Sequence, residues 1–144
     1  MDVKNFEVSE ELMVGQKVMD SQHKEFFKRL NTLIVAAASN KNQKEIQSFI
    51  RFLSDYIQTH LSMEERLMQK YGYKEFEGHK SQHDYFRKVY TEIMDDFSNG
   101  KLSLSDFVKR LEKEVGEWFE NHIQKVDKLL GAFLVEEGAG EEEG

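Results

Sequence analysis

From Asp20 onward the apolar residues of this chain recur at steps of three and four. Phe26, Phe27, Leu30, Leu33, Ile34 and Ala37 form one stripe, and His23 falls on it three residues ahead of Phe26. A second stripe begins with Ile46, Phe49, Ile50, Leu53 and Ile57 and runs through His60 and Glu64 to Leu67, Met68 and Tyr71. A third carries Phe76, His79, His83, Phe86, Tyr90, Ile93 and Phe97; a fourth carries Leu104, Phe107, Val108, Leu111, Val115, Trp118, His122, Val126 and Leu129. A period of about 3.6 residues predicts four amphipathic helices that bury one face each in a common core. The boundaries carry their own signals. Asp20 or Ser21 can cap the first helix, and Asn40 suits a left-handed stop. Asn42 to Glu45 has the form of a capping box for the second helix, and Gly72 ends it. Asn99-Gly100 ends the third, and Ser103 or Ser105 opens the fourth.

Residues 1–19 show no sustained period, so they are expected to form an ordered arm, with Phe6, Leu12 and Val14 packing on the rest. Four helices joined by short loops predict an all-α fold, an up-down-up-down four-helix bundle with an N-terminal arm. The bundle is expected to occupy residues 1–135. Residues 136–144 are too acidic and glycine-rich to bury anything, which predicts a disordered tail.

Composition narrows the function. The 144 residues include no cysteine, which excludes disulfides, zinc–thiolate sites and iron–sulfur clusters. The net charge of −7 owes five charges to Glu136, Glu137, Glu141, Glu142 and Glu143, so residues 1–135 stand near −2. No basic groove for nucleic acid and no lysine-rich amphipathic face for a membrane is present. The longest apolar run, Leu33 to Ala38, is far below the roughly 20 residues needed to span a bilayer. The N-terminus lacks a basic segment followed by an apolar one, so a cytoplasmic, monomeric protein is expected.

The histidines lie on the core stripes, and their heights along the bundle coincide. His23 is 17 residues before Asn40 and His60 is 18 after Asn42, so both stand about 26 Å from the same hairpin. His83 is 16 residues before Asn99 and His122 is 19 after Ser103, about 24–28 Å from the other hairpin at that same end of the bundle and thus at the same level. The pairs His60-x-x-x-Glu64 and His79-x-x-x-His83 put residues four apart, about 40° around an α-helix, on shared faces. A single imidazole on an apolar face is usually a hydrogen-bonded core residue. Five with a carboxylate at one level would be costly to bury without a ligand.

A metal answers that cost, and the number of donors exceeds what one ion requires. The HExxH signature is absent, and so is the Glu-x-x-His element of carboxylate-rich di-iron bundles. Histidine and carboxylate donors by themselves suit iron, manganese and zinc alike. Phe26, Phe27, Phe86, Trp118, Phe119 and Ile123 are the apolar candidates to line a pocket beside the site.

Asp20-Ser-Gln-His23, His60-x-x-x-Glu64, His79-x-x-x-His83 and His122-x-x-x-x-Asp127 follow one another in that order. On these motifs the chain resembles the hemerythrins, specifically the bacterial single-domain kind, over about residues 6–130. The resemblance implies two non-haem irons. His79, His83 and His122 would bind one and His23 and His60 the other, with Glu64, Asp127 and a hydroxo or oxo group as bridges. One coordination position then stays open, on the iron with two histidines, and the family uses it for O2. The implied role is reversible O2 binding as a carrier, store or delivery protein that is not an enzyme, with a separate protein as possible acceptor. Alternatives are an oxygen or redox sensor working through a separate partner, a di-iron reductase of peroxide or nitric oxide, and iron or zinc handling.

Two residues sit uneasily in that pattern. Asp127 is five residues from His122, about 140° around an ideal helix, and the stripe position is Val126. Asp127 therefore needs a locally widened, π-type turn or an approach from the flank. Phe119 stands where hemerythrins commonly carry an aliphatic residue, which would narrow the open position.

Overall fold

The computed structural model describes residues 2–143. Its long helices are α1, Lys17–Ala38; α2, Gln43–Lys70; α3, Phe76–Ser98; and α4, residues 104–136. Consecutive helices pack side by side and α4 closes the ring against α1, around a core that runs from Phe6 and Leu12 to Leu134 and Ala139. No strand occurs among the described residues.

Most boundaries follow the local chemistry. Asn40 adopts φ 55° after α1. The Asn42 side chain accepts from the Glu45 backbone N–H at 2.9 Å, which satisfies one of the orphan donors at the start of α2. Gly72 turns the chain with φ 66°, and Ser103 caps α4 by accepting from Asp106 N–H at 3.1 Å. The first helix begins earlier than its stripe indicates. Gln16 is its cap, accepting from Met19 N–H at 2.7 Å. Asp20, already inside the helix, points back and accepts from Val14 N–H at 2.8 Å and Gly15 N–H at 3.1 Å. It anchors the arm and leaves the capping to Gln16.

The arm itself is keyed into the bundle by Phe6. That ring stacks on Phe27 at 5.8 Å, and Asn31 clasps the Phe6 backbone through both its N–H and its carbonyl. Gly116 makes the space: a Cβ there would stand 2.2 Å from the Phe6 ring.

The fourth helix alternates its winding. Leu104–Arg110 is α-helical, Leu111–Glu117 is π-helical, Trp118–His122 returns to α, Ile123–Asp127 is again π, and Lys128–Glu136 finishes as α. The second π segment lies where the spacing of His122 and Asp127 calls for one. With i→i+5 winding, residues five apart come to lie one above the other. The first has no counterpart in the sequence reading.

The acidic end also differs from expectation. After Glu136, Gly138 turns back with φ 81° and Ala139 is buried. The buried Gln16 amide donates to the carbonyls of Ala139 at 3.1 Å and Glu142 at 2.7 Å, and Lys17 N–H donates to Gly140 at 2.8 Å. Glu142 pairs with Lys70 and with the Tyr71 hydroxyl. Residues 137–143 thus lie across the start of α1 and the end of α2. The glycines that argued for disorder allow the chain to turn tightly enough to reach Gln16.

Candidate metal centre

His23 comes from α1, His60 and Glu64 from α2, His79 and His83 from α3, and His122 and Asp127 from α4. All seven side chains converge at one level, and none is more than 3% exposed. Their donor atoms form two groups, each within 4.8 Å across. One holds Glu64, His79, His83, His122 and Asp127; the other holds His23, His60, Glu64 and Asp127.

Both carboxylates are divided between the groups. Glu64 Oε1 stands 3.3 Å from His79 Nε2 and 3.2 Å from His83 Nε2, while its Oε2 stands 2.9 Å from His60 Nε2 and 3.5 Å from His23 Nε2. Asp127 Oδ1 lies 3.0 Å from His79 Nε2 and 3.1 Å from His122 Nε2, and its Oδ2 lies 3.1 Å from His23 Nε2. These pairs are not hydrogen bonds: all five Nε2 atoms and all four carboxylate oxygens are buried without a hydrogen-bond partner. A six-coordinate ion with bonds of about 2.1 Å holds adjacent donors about 3.0 Å apart. The spacings therefore match the edges of coordination polyhedra, and a cation at each centre would satisfy every orphaned atom.

Three rings are held from behind. Nδ1 of His60 donates to Gln22 at 2.6 Å, Nδ1 of His122 to Gln82 at 3.0 Å, and Nδ1 of His83 to Glu65 at 2.8 Å. Because each partner atom is an acceptor, the proton sits on Nδ1 and the Nε2 lone pair is free for a metal. The Nδ1 atoms of His23 and His79 have no partner. Sequence reasoning missed Gln22, Gln82 and Glu65. Each is next to a ligand in sequence but one position off the apolar stripe, where polar residues read as solvent-facing, and each reaches a ring on the following helix.

The electrostatics describe a site that holds positive charge. Burial pushes the Glu64 and Asp127 carboxyls up, yet the surrounding imidazoles hold both well below the usual carboxylate range. Burial pushes His23 and His79 down, but Asp127 and Glu64 outweigh it and raise them to about 9 and about 10. For His83 the Glu64 and Glu65 carboxylates likewise overcome burial, whereas burial prevails at His60 and lowers it. At His23, His79 and His83 the carboxylates thus favour positive charge, which is the charge a metal ion would supply.

Aromatic rings wall the centre on two sides. Phe119, fully buried, meets His23 at 5.7 Å and His60 at 5.8 Å between centroids, and Phe26 stacks on it at 4.1 Å. Phe27 and Phe86 approach the same ring edge-on, at 6.0 and 5.9 Å. Trp118 stands on the other side, stacked on His122 at 4.9 Å and on Phe86 at 4.6 Å, and so flanks the group with three histidines. Ile123 is buried within the second π segment.

Comparison with known proteins agrees with this geometry. Residues 14–134 match the model of the hemerythrin HHE cation binding domain. The bacteriohemerythrin of Methylococcus capsulatus is 38% identical over 115 residues, covering 80% of this chain and 85% of that protein. The bacteriohemerythrin of Aquifex aeolicus is 29% identical over 84% of this chain and 91% of its own length. A crystal structure of wild-type hemerythrin shares the fold with a TM-score of 0.73 at 35% identity, over 83% of this chain and 88% of that one. With a family match that runs from the end of the arm to the last turns of α4, and the same bundle in a solved relative, this chain belongs to the hemerythrin family.

Proposed function

We propose that this protein holds two non-haem irons and binds O2 reversibly, as a carrier, store or delivery protein. The observation that carries the reading is the division of the two carboxylates, which leaves one group with five donors and the other with four. Glu64, His79, His83, His122 and Asp127 would hold one ion and His23, His60, Glu64 and Asp127 the other, and the smaller donor set would leave room for O2 beside His23 and His60. Family membership favours iron over the other metals that such donors accept. When bound, the two ferrous ions supply the pair of electrons that O2 takes on binding and returns on release.

The chain's own residues account for reversibility. Phe119 presents its hydrocarbon ring to His23 and His60, with Phe26 and Phe27 packed against that ring, which would exclude water and proton donors from the ligand. Imidazole-rich coordination is less electron-rich than a glutamate cluster and so disfavours O–O cleavage. Glu64 and Asp127, ionised and shared, hold the two positions at a fixed separation.

The test is an iron count and a visible spectrum of anaerobically reduced protein, taken before oxygen, after oxygen and after purging. Two irons per chain, with a band that appears with O2 and disappears on purging, is the expected result. A band that decays to a ferric spectrum and does not return would replace the carrier with a sensor or a reductase.

A further inference from the structure

The outer acceptors that hold the imidazole rings are not equivalent. Gln22 and Gln82 offer neutral amide oxygens to His60 and His122. Glu65 offers a carboxylate to His83 at 2.8 Å, with its side chain only 16% exposed. Its oxygen also forms an ion pair with Arg87 Nη1 at 2.9 Å, and Arg87 is itself braced by Asp84 at 3.0 Å and Gln58 at 3.2 Å. Among the described residues, Glu65 is the one charged group hydrogen-bonded to the outer nitrogen of a ring in the centre.

A carboxylate that accepts from Nδ1–H raises the basicity of the same ring at Nε2, more than an amide oxygen does. Glu64 and Asp127 each give one oxygen to each group, so their charge does not distinguish the two positions. Glu65 does, because His83 belongs to the group with three histidines alone. We propose that Glu65 is a positioning residue that, through His83, tightens the three-histidine position and favours the more oxidised ion there, making the two positions unequal in affinity and in potential. The inference rests on the two-metal reading above. Its consequence is that the position without room for O2 is the one readied to give up its electron. Arg87 tempers the effect by drawing on the same carboxylate oxygen.

The test uses the full chain, freed of metal and titrated with zinc against a chelator of known affinity, so that redox chemistry plays no part. Wild type is expected to take two ions. E65Q keeps the shape and loses the charge, and should weaken one ion by about 10–100-fold while leaving the other unchanged. Q82E returns a carboxylate to the same ion through His122, so the E65Q/Q82E double variant should recover the affinity. Q22E, acting through His60, should tighten the other ion instead. In iron-loaded protein E65Q should raise the potential of one iron, and each tenfold change in ferric over ferrous preference reads as about 59 mV. Fewer than two zinc ions in wild type would overturn the two-metal reading itself. Two ions in wild type with neither weakened by E65Q, or both weakened alike, would overturn the role of Glu65 and leave that reading standing. So would a lowered melting temperature with unchanged affinity, the mark of a brace for Arg87 and nothing more.

Discussion

Phe119 touches the rings of both histidines in the four-donor group, and its volume decides how much room lies beside them. Replacing it with leucine opens that space at a stability loss of about 1 kcal/mol, since the ring is fully buried against Phe26. On the O2-binding reading, Phe119→Leu should speed both O2 dissociation and oxidation to the ferric form, as followed by stopped-flow absorbance; unchanged rates would remove Phe119 from the ligand's path. Asp127→Ala is the more severe change, because it takes one oxygen from each donor group and an ion-pair partner from His23. It should reduce metal content below two ions per chain, measured by atomic emission. The histidines and Glu64 were legible as candidates because they lie on apolar stripes. Gln22, Gln82 and Glu65 were not, since nothing in one helix's periodicity says which neighbouring ring a flanking side chain will reach.

At the scale of the element, α4 carries the departures from regular geometry. Asp127 joins the centre because Ile123–Asp127 winds as a π-helix, which brings a residue five positions from His122 onto its face. Deleting the exposed Gln124 would shorten that spacing to four, the value at which an ordinary α-helix aligns two residues. The deletion should therefore retain both ions, whereas an alanine inserted at the same place should lose them; metal content of the two purified proteins distinguishes the outcomes. The other π segment, Leu111–Glu117, holds Gly116 against the Phe6 ring. Gly116→Ala should displace the arm and lower the urea midpoint by the equivalent of about 1–3 kcal/mol. The sequence made the second π segment inferable because it places two candidate ligands at an awkward spacing. The first moves no such pair, so no spacing in the sequence called for it.

For the molecule as a whole, the centre gathers most of the buried charge among the described residues, so ions held there would add to stability. On the two-metal reading, a chelator that strips ions held at about a thousand times their dissociation constant removes about 4 kcal/mol for each ion, on the order of 15 °C in melting temperature apiece for a chain of this size. The stripped protein should also acquire a pH dependence. His23 and His79 bind protons more tightly folded than unfolded, so their contribution is complete below about 6.5 and is lost as pH rises through about 9 and about 10. Glu64 and Asp127 contribute in the opposite sense, above the usual carboxylate range, and lose their effect in acid. Melting curves of stripped protein should fall on the alkaline side, and those of loaded protein should not, because ions have replaced the protons. The bundle was legible from four stripes and their caps. The course of residues 137–143 was not, because it depends on the buried Gln16 amide, more than 120 positions away in the chain.

The outer hydrogen bonds divide the five rings in a way that bears on exchange. His60, His83 and His122 are fastened at Nδ1, whereas His23 and His79 are not, and each donor group contains one of the unfastened pair. On the two-metal reading, each ion position would therefore have one ring without an outer hydrogen bond. On that reading, entry and departure of an ion would begin at the ring that has no outer hydrogen bond to break, His23 for one position and His79 for the other.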